Sequence, residues 1–128
     1  MPPLAIRAWS ATTALGRGVQ AQQAALLERR SGLRRNDFGP AINDGEPLPC
    51  WIGRVEGLED MPSPTAFARW ECRNNRLAWL AFQQDGLPEA LARAIAAHGA
   101  ERIALVVGTS TSSIGATEEA YSRLQSPT

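Results

Sequence analysis

Strand-forming runs are scarce in this 128-residue chain, and that scarcity most limits what it can fold into. Three segments have the composition of strands: Leu4 to Trp9, a short one within "CWIGRVEG" from Cys50 to Gly57, and Arg102 to Val107. Helical patterns cover Val19 to Arg30, about Phe67 to Gln84, Pro88 to His98, and the stretch from about Gly115 onward. Helices alternating with strands predict an α/β domain with a largely parallel sheet. A parallel sheet is buried on both faces and needs several neighbouring strands. Two full strands and one short one cannot supply it. Residues 1–128 therefore read as the opening part of a larger domain that continues beyond residue 128, its sheet incomplete.

Local signals place the joints. "SATTALGRG" is a small-residue turn after the first strand, and Gly32 in "RSGLR" falls in the capping zone of the first helix. The Gly, Pro, Asn and Asp density from Asn36 to Pro49 predicts a loop, and Gly53 suits a bulge in the short strand. After the breaker "MPSP", Phe67, Trp70, Leu77, Ala78 and Ala81 share one face of a long helix. Pro88 fits the first turn of the next helix, and Gly99 stops it. Glu118 and Glu119 are expected in the first turn of the last helix, where its dipole favours negative charge.

Composition closes several routes. Acidic and basic residues balance at 13 each, so no net field draws the chain to nucleic acid or an anionic membrane. Every basic residue is Arg. Without Lys there is no Schiff base, no lysine general base and no phosphate-loop lysine. Cys50 and Cys72 lack paired spacing, which argues against a disulfide framework or a zinc site and for a reducing cytoplasm. The apolar N-terminus is broken by Arg7 and has no basic leader, and no run approaches a membrane span. A soluble cytoplasmic protein with no metal and no cofactor is expected.

Two motif readings compete for attention and both meet obstacles. Gly16, Gly18 and Ala21 in "GRGVQA" match a dinucleotide fingerprint, with Asp37 near the offset of a ribose-binding acid. The glycines should follow the strand directly, yet Ser10 to Leu15 intervene. "RIALVVGTSTSSIGATEEAY" is a strand, a small polar loop and a helix, the layout of many α/β sites. Six residues separate Gly108 from Gly115 and Ala116 follows, so it is not a phosphate-binding loop. Neither Ser110 nor Ser113 has the Gly-x-Ser-x-Gly frame of a nucleophile elbow. The one histidine, His98, sits in a last helical turn, where an imidazole suits the dipole. Cys50, Cys72 and the four Trp read as packing residues, and "CRNNR" from Cys72 to Arg76 as a solvated helix face.

Taken in order, the segments resemble the N-terminal part of a β-ketoacyl-acyl carrier protein synthase, a condensing enzyme of the thiolase fold. "IRAWSATTALGRGV" from Ile6 to Val19 resembles the family's opening strand and Ser-Pro-Leu-Gly turn through Leu15, Gly16 and Gly18. It departs at Ala8 and Ser10, where the family has glycines. "RSGLR" resembles Gly-x-Ser-Gly-Ile, with Arg29 in place of the first Gly. "WIGRVEG" is similar to the Ala-Gly-x-Val strand, and "LAFQQDGLPE" to the Ala-Leu-x-Asp-Ala-Gly-Leu helix end. "RIALVVGTSTSSIGATEEAY" is similar to the strand, glycine-rich loop and Glu-Glu that follow.

The resemblance implies an acyltransferase that condenses an acyl thioester with malonyl-acyl carrier protein, in fatty acid or polyketide-type synthesis. It implies acyl carrier protein as partner and a homodimer or a ketosynthase heterodimer as assembly. The family's nucleophilic Cys and two catalytic His fall at positions absent from this sequence, so none of its residues is assigned a catalytic role. By resemblance, Thr109, Ser110, Thr111, Ser112 and Ser113 line the acyl-chain pocket beside the dimer interface. The same hydroxyls can instead cap the helix entrance. A relative lacking the Cys, acting as a chain-length partner, shares this N-terminal pattern.

Overall fold

A computed structural model describes residues 6–37, 47–62, 64–108 and 114–125. The chain divides into two compact units, Met1–Glu56 and Gly57–Thr128. The architecture is mixed α/β, with helices and two small antiparallel sheets of two strands each. No parallel pair occurs among the described residues.

In the first unit, "SATTALGRG" forms a hairpin. Strand β1, Thr12–Thr13, pairs with β2, Gly16–Arg17, with Thr12 opposite Arg17. The hairpin runs straight into helix α1, Gly18–Leu27. Gly16 has φ 146°, and a Cβ there would lie 2.7 Å from the Ala21 Cβ, so glycine lets the hairpin close on the helix. Gln22 locks the joint, its Nε2 donating to the Gly16 carbonyl at 2.6 Å and its Oε1 accepting from the Thr13 hydroxyl at 2.8 Å. Of the expected strand Leu4 to Trp9, residues 4 and 5 lie outside the described residues, and 6–9 pair with no described strand.

Helix α1 ends differently from expectation. Glu28 is its C-cap, and Arg29, not Gly32, takes the left-handed conformation, with φ 53°. The Arg30 amide donates to the Ala25 carbonyl at 2.8 Å and the Arg29 amide to Leu26 at 3.2 Å, the crossed bonds of a Schellman motif. Gly32 is needed for another reason. A Cβ there would lie 2.7 Å from the backbone of Ala14, so the turn after α1 can rest on the hairpin only without a side chain. A side-chain-bearing residue in the left-handed region costs about 1–2 kcal/mol, partly offset by the extra freedom of an unfolded Gly. Arg29→Gly should therefore stabilise the end of α1 by about 1 kcal/mol, read as slower hydrogen exchange of the Arg29 and Arg30 amides.

Strand β3, Leu33–Arg35, pairs antiparallel with β4, Trp51–Gly53, with Leu33 opposite Gly53, Arg34 opposite Ile52 and Arg35 opposite Trp51. The short strand predicted around Trp51 is thus present. Gly53 marks a close approach, since a Cβ would meet the Ala14 Cβ at 3.0 Å. Ala25 and Val55 are the buried apolar residues of this unit.

The second unit is helical. The long helix expected from Phe67 to Gln84 is two pieces: a 3₁₀ segment, Thr65–Trp70, and helix α2, Arg73–Phe82. Glu71 and Cys72 between them are extended, and the Cys72 sulfur accepts the Asn75 amide at 3.4 Å, so a thiol serves as the N-cap. Asp85 and Gly86, at φ 57° and 67°, turn the chain into helix α3, Leu87–His98, with Pro88 in its first turn. Gly99, at φ 85°, ends it as expected. A short 3₁₀ turn, Ala100–Arg102, follows, and the expected strand Arg102 to Val107 pairs with no described strand. Helix α4, Ile114–Gln125, begins one residue before the expected Gly115, which leaves no acid in its first turn. Leu58 and Leu80 are buried here, and they are the only large side chains fully enclosed among the described residues.

Candidate functional site

The residues the sequence marks for the acyl pocket, Thr109, Ser110, Thr111, Ser112 and Ser113, lie outside the described residues. The segment that leads into them is described. Ile103 is extended, and residues 104–108 make no backbone hydrogen bond with a described residue. Val106 is 91 % exposed. Leu105 and Val107, its neighbours two residues apart, face a groove of about 430 Å³. Alternation of this kind is what an extended chain produces.

The opposite wall of the groove is aromatic. Phe67 and Trp70 come from the 3₁₀ segment, and Ala78, Trp79 and Phe82 from α2. The Trp79 and Phe82 rings stack with centroids 5.7 Å apart, and the Arg69 guanidinium lies 4.5 Å over the Trp70 ring. Of the face predicted at Phe67, Trp70, Leu77, Ala78 and Ala81, only Phe67, Trp70 and Ala78 line the groove, joined there by Trp79 and Phe82, and a break in the backbone divides it. It is open to solvent, with Phe67 54 % and Trp70 57 % exposed.

The polar residues of "CRNNR" hold the two pieces together rather than forming a free solvated face. Arg76 pairs with the Glu71 carboxylate and donates to the Glu59 carbonyl at 3.1 Å. Two nitrogens of Arg73 reach Glu59 Oε1 at 3.1 Å, and Asn75 Nδ2 donates to the Trp70 carbonyl at 2.7 Å. This clamp is the feature sequence reasoning missed. Its one signal was the pair of acids, Glu59 and Glu71, that precede an arginine-bearing helix start.

The glycines of "GRGVQA" serve the hairpin and α1, and Asp37 is committed elsewhere. Its Oδ2 accepts from Arg34 and, at 3.1 Å, from Arg54, so one carboxylate oxygen is shared by two arginines. The Arg34 hydrogen bond first, then the Arg54 hydrogen bond and both positive charges, hold its carboxyl below the ordinary value of 3.8. Desolvation opposes them more weakly than the Arg34 bond acts. A lowered folded pKa stabilises the fold above the unfolded pKa, and that support is lost as pH falls through the folded value. A carboxyl-detected NMR titration should place the Asp37 midpoint below 3.8, and Arg34→Ala should move it upward.

Cys50 and Cys72 form no disulfide and are partly exposed, and His98 ends α3 as an exposed residue. Among the described residues no group of three His, Cys, Asp or Glu could hold a metal, and no helix is long and apolar enough to cross a membrane. No protein family, curated protein or solved structure matches the chain.

Proposed function

We propose that this chain is the N-terminal part of a β-ketoacyl-acyl carrier protein synthase, serving as scaffold and as one wall of the acyl pocket. The observation that carries the reading is the order of five family-like segments over nearly the whole chain, from Ile6 to Tyr121. Arg29 adds support. It occupies the place of the family's first Gly in Gly-x-Ser-Gly-Ile, and its φ of 53° is a conformation that favours glycine. The pairing of β3 with β4 joins two further segments that carry the resemblance, "RSGLR" and "WIGRVEG". The exposed apolar residues on 103–108 and in the aromatic groove fit a sheet completed by other strands.

In the complete enzyme a cysteine thiolate attacks the acyl thioester and the carrier thiol leaves. Decarboxylation of the malonyl thioester yields carbon dioxide and a carbanion, which attacks the acyl-cysteine. The cysteine departs, and a β-ketoacyl thioester is released. The residues of this chain take no covalent part. They would shape the pocket and support the sheet beneath it.

The longer protein carrying this segment tests the proposal when given acyl-carrier protein and carboxyl-labelled malonyl-carrier protein. Release of labelled carbon dioxide with formation of an acyl-cysteine supports it. Carrier binding without acylation points to the chain-length partner, and the absence of both would overturn the family assignment. A thermal shift with NAD(P) or FAD would favour the dinucleotide reading.

A further inference from the structure

Between Glu28 and Asp37 the first unit carries four arginines, Arg29, Arg30, Arg34 and Arg35, against those two acids. Their surroundings differ. Arg30 is held by Glu28 and by the Leu15 carbonyl, and Arg34 shares Asp37 with Arg54. Arg29 and Arg35 are exposed, and the side chain of neither makes a hydrogen bond or ion pair with a described residue. Arg35 lies opposite Trp51 in the β3–β4 ladder, so the two side chains share one face of the hairpin. Leu33 lies on that face too. Trp51 is 65 % exposed and Leu33 58 %.

Arg29 occupies its position at an energetic disadvantage. A left-handed residue after a helix is ordinarily Gly or Asn, and strain of this sort points toward a role for the side chain. Arg35, six residues on, stands across the ladder from an exposed tryptophan. Arginine and tryptophan are the residues that dominate binding energy at protein interfaces, and guanidinium groups match carboxylates in fork geometry. The neighbouring Arg34 and Arg54 already converge on one carboxylate oxygen of Asp37. A chain of zero net charge lacks the extended field and the many phosphate contacts that nucleic acid binding draws on.

We propose that Arg29, Arg35 and Trp51 form a docking surface for a carboxylate-rich, amphipathic protein segment. The two guanidinium groups meet its acids, and Trp51 with Leu33 meets its apolar side. This inference does not depend on the condensing-enzyme reading.

The test is fluorescence anisotropy of the full chain with a labelled Glu/Leu amphipathic peptide, at low and at moderate salt. The same peptide with Gln for Glu, and an oligothymidylate, serve as the other arms. Binding of the acidic peptide is expected, weakened about tenfold by Arg35→Ala or Trp51→Ala and by less than about twofold by Arg93→Ala on α3. Arg29→Gly separates charge from folding, because it should weaken binding several-fold while slowing exchange at the end of α1. Four outcomes would overturn the proposal. They are no binding of the acidic peptide, equal binding of the Gln peptide, tighter binding of the oligothymidylate, and equal losses in Arg93→Ala and Arg35→Ala.

Discussion

Residues 1–128 expressed alone should unfold over a broad range of urea, with no single steep transition in circular dichroism. Cooperative unfolding requires one core whose parts depend on each other, and the described residues supply little of one. Ala25, Val55, Leu58 and Leu80 are buried, while sixteen large apolar residues are 40–91 % exposed. Each fully buried Leu or Val contributes about 1.5–3 kcal/mol, against a backbone ordering cost of about 1–2 kcal/mol for every residue fixed. Three such residues and Ala25 cannot hold the four helices and two small sheets of the described residues as a unit. The sheets add little, since isolated two-stranded hairpins are marginal in water. A small two-state protein shows a urea m-value of about 1–3 kcal/mol/M. A value well below that range is expected here. Within the proposed synthase the same helices should unfold with the whole.

The elements legible in the sequence were those set by local chemistry. Pro88 and Gly99 bracket α3, and Trp51 to Gly53 form a strand, because these signals act within a few residues of themselves. The break at Glu71 and Cys72 was hidden. The apolar spacing of Phe67, Trp70, Leu77 and Ala81 continues across it, and a thiol is not among the usual caps. Arg29 concealed the end of α1 for a similar reason: the turn is encoded by its hydrogen bonds, and the nearby Gly32 drew the eye through a contact with Ala14. The segments Leu4 to Trp9 and Arg102 to Val107 have strand composition, but a ladder needs a neighbour. Composition indicates readiness to pair and says nothing of whether a partner strand is present. At the candidate site, the approach through Leu105 and Val107 was readable as an apolar strand. The clamp of Arg73 and Arg76 on Glu59 and Glu71 was not, because Glu59 lies 14 residues from Arg73 in sequence.

If the proposed synthase reading holds, Thr111→Phe in that synthase should shorten the range of acyl primers accepted. If the side chain faces the acyl pocket, a phenyl ring fills volume that a long chain needs. Forcing a large group into a close-packed wall costs about 1–3 kcal/mol, and each 1.36 kcal/mol in a barrier is tenfold in rate. Long primers should slow by about tenfold or more. Short primers do not reach that depth and should keep their rates, with the melting temperature nearly unchanged. A residue that only caps the following helix behaves otherwise. Its loss costs about 1 kcal/mol of stability and slows every primer alike. Initial rates across a primer series, alongside the melting temperatures of both proteins, separate the two roles of Thr111.

Residues 103–108 are proposed to form a strand whose neighbours come from elsewhere in a condensing-enzyme sheet. Amide hydrogen exchange on this segment tests that proposal most directly, measured on residues 1–128 alone and on the longer protein that carries them. The Ala104 to Gly108 amides, without hydrogen bonds to described residues, should exchange at nearly unprotected rates in the short chain. In the longer protein they should be among the slowest, at rates near those of global unfolding. Strong protection in the short chain, or none in the longer protein, would contradict the account.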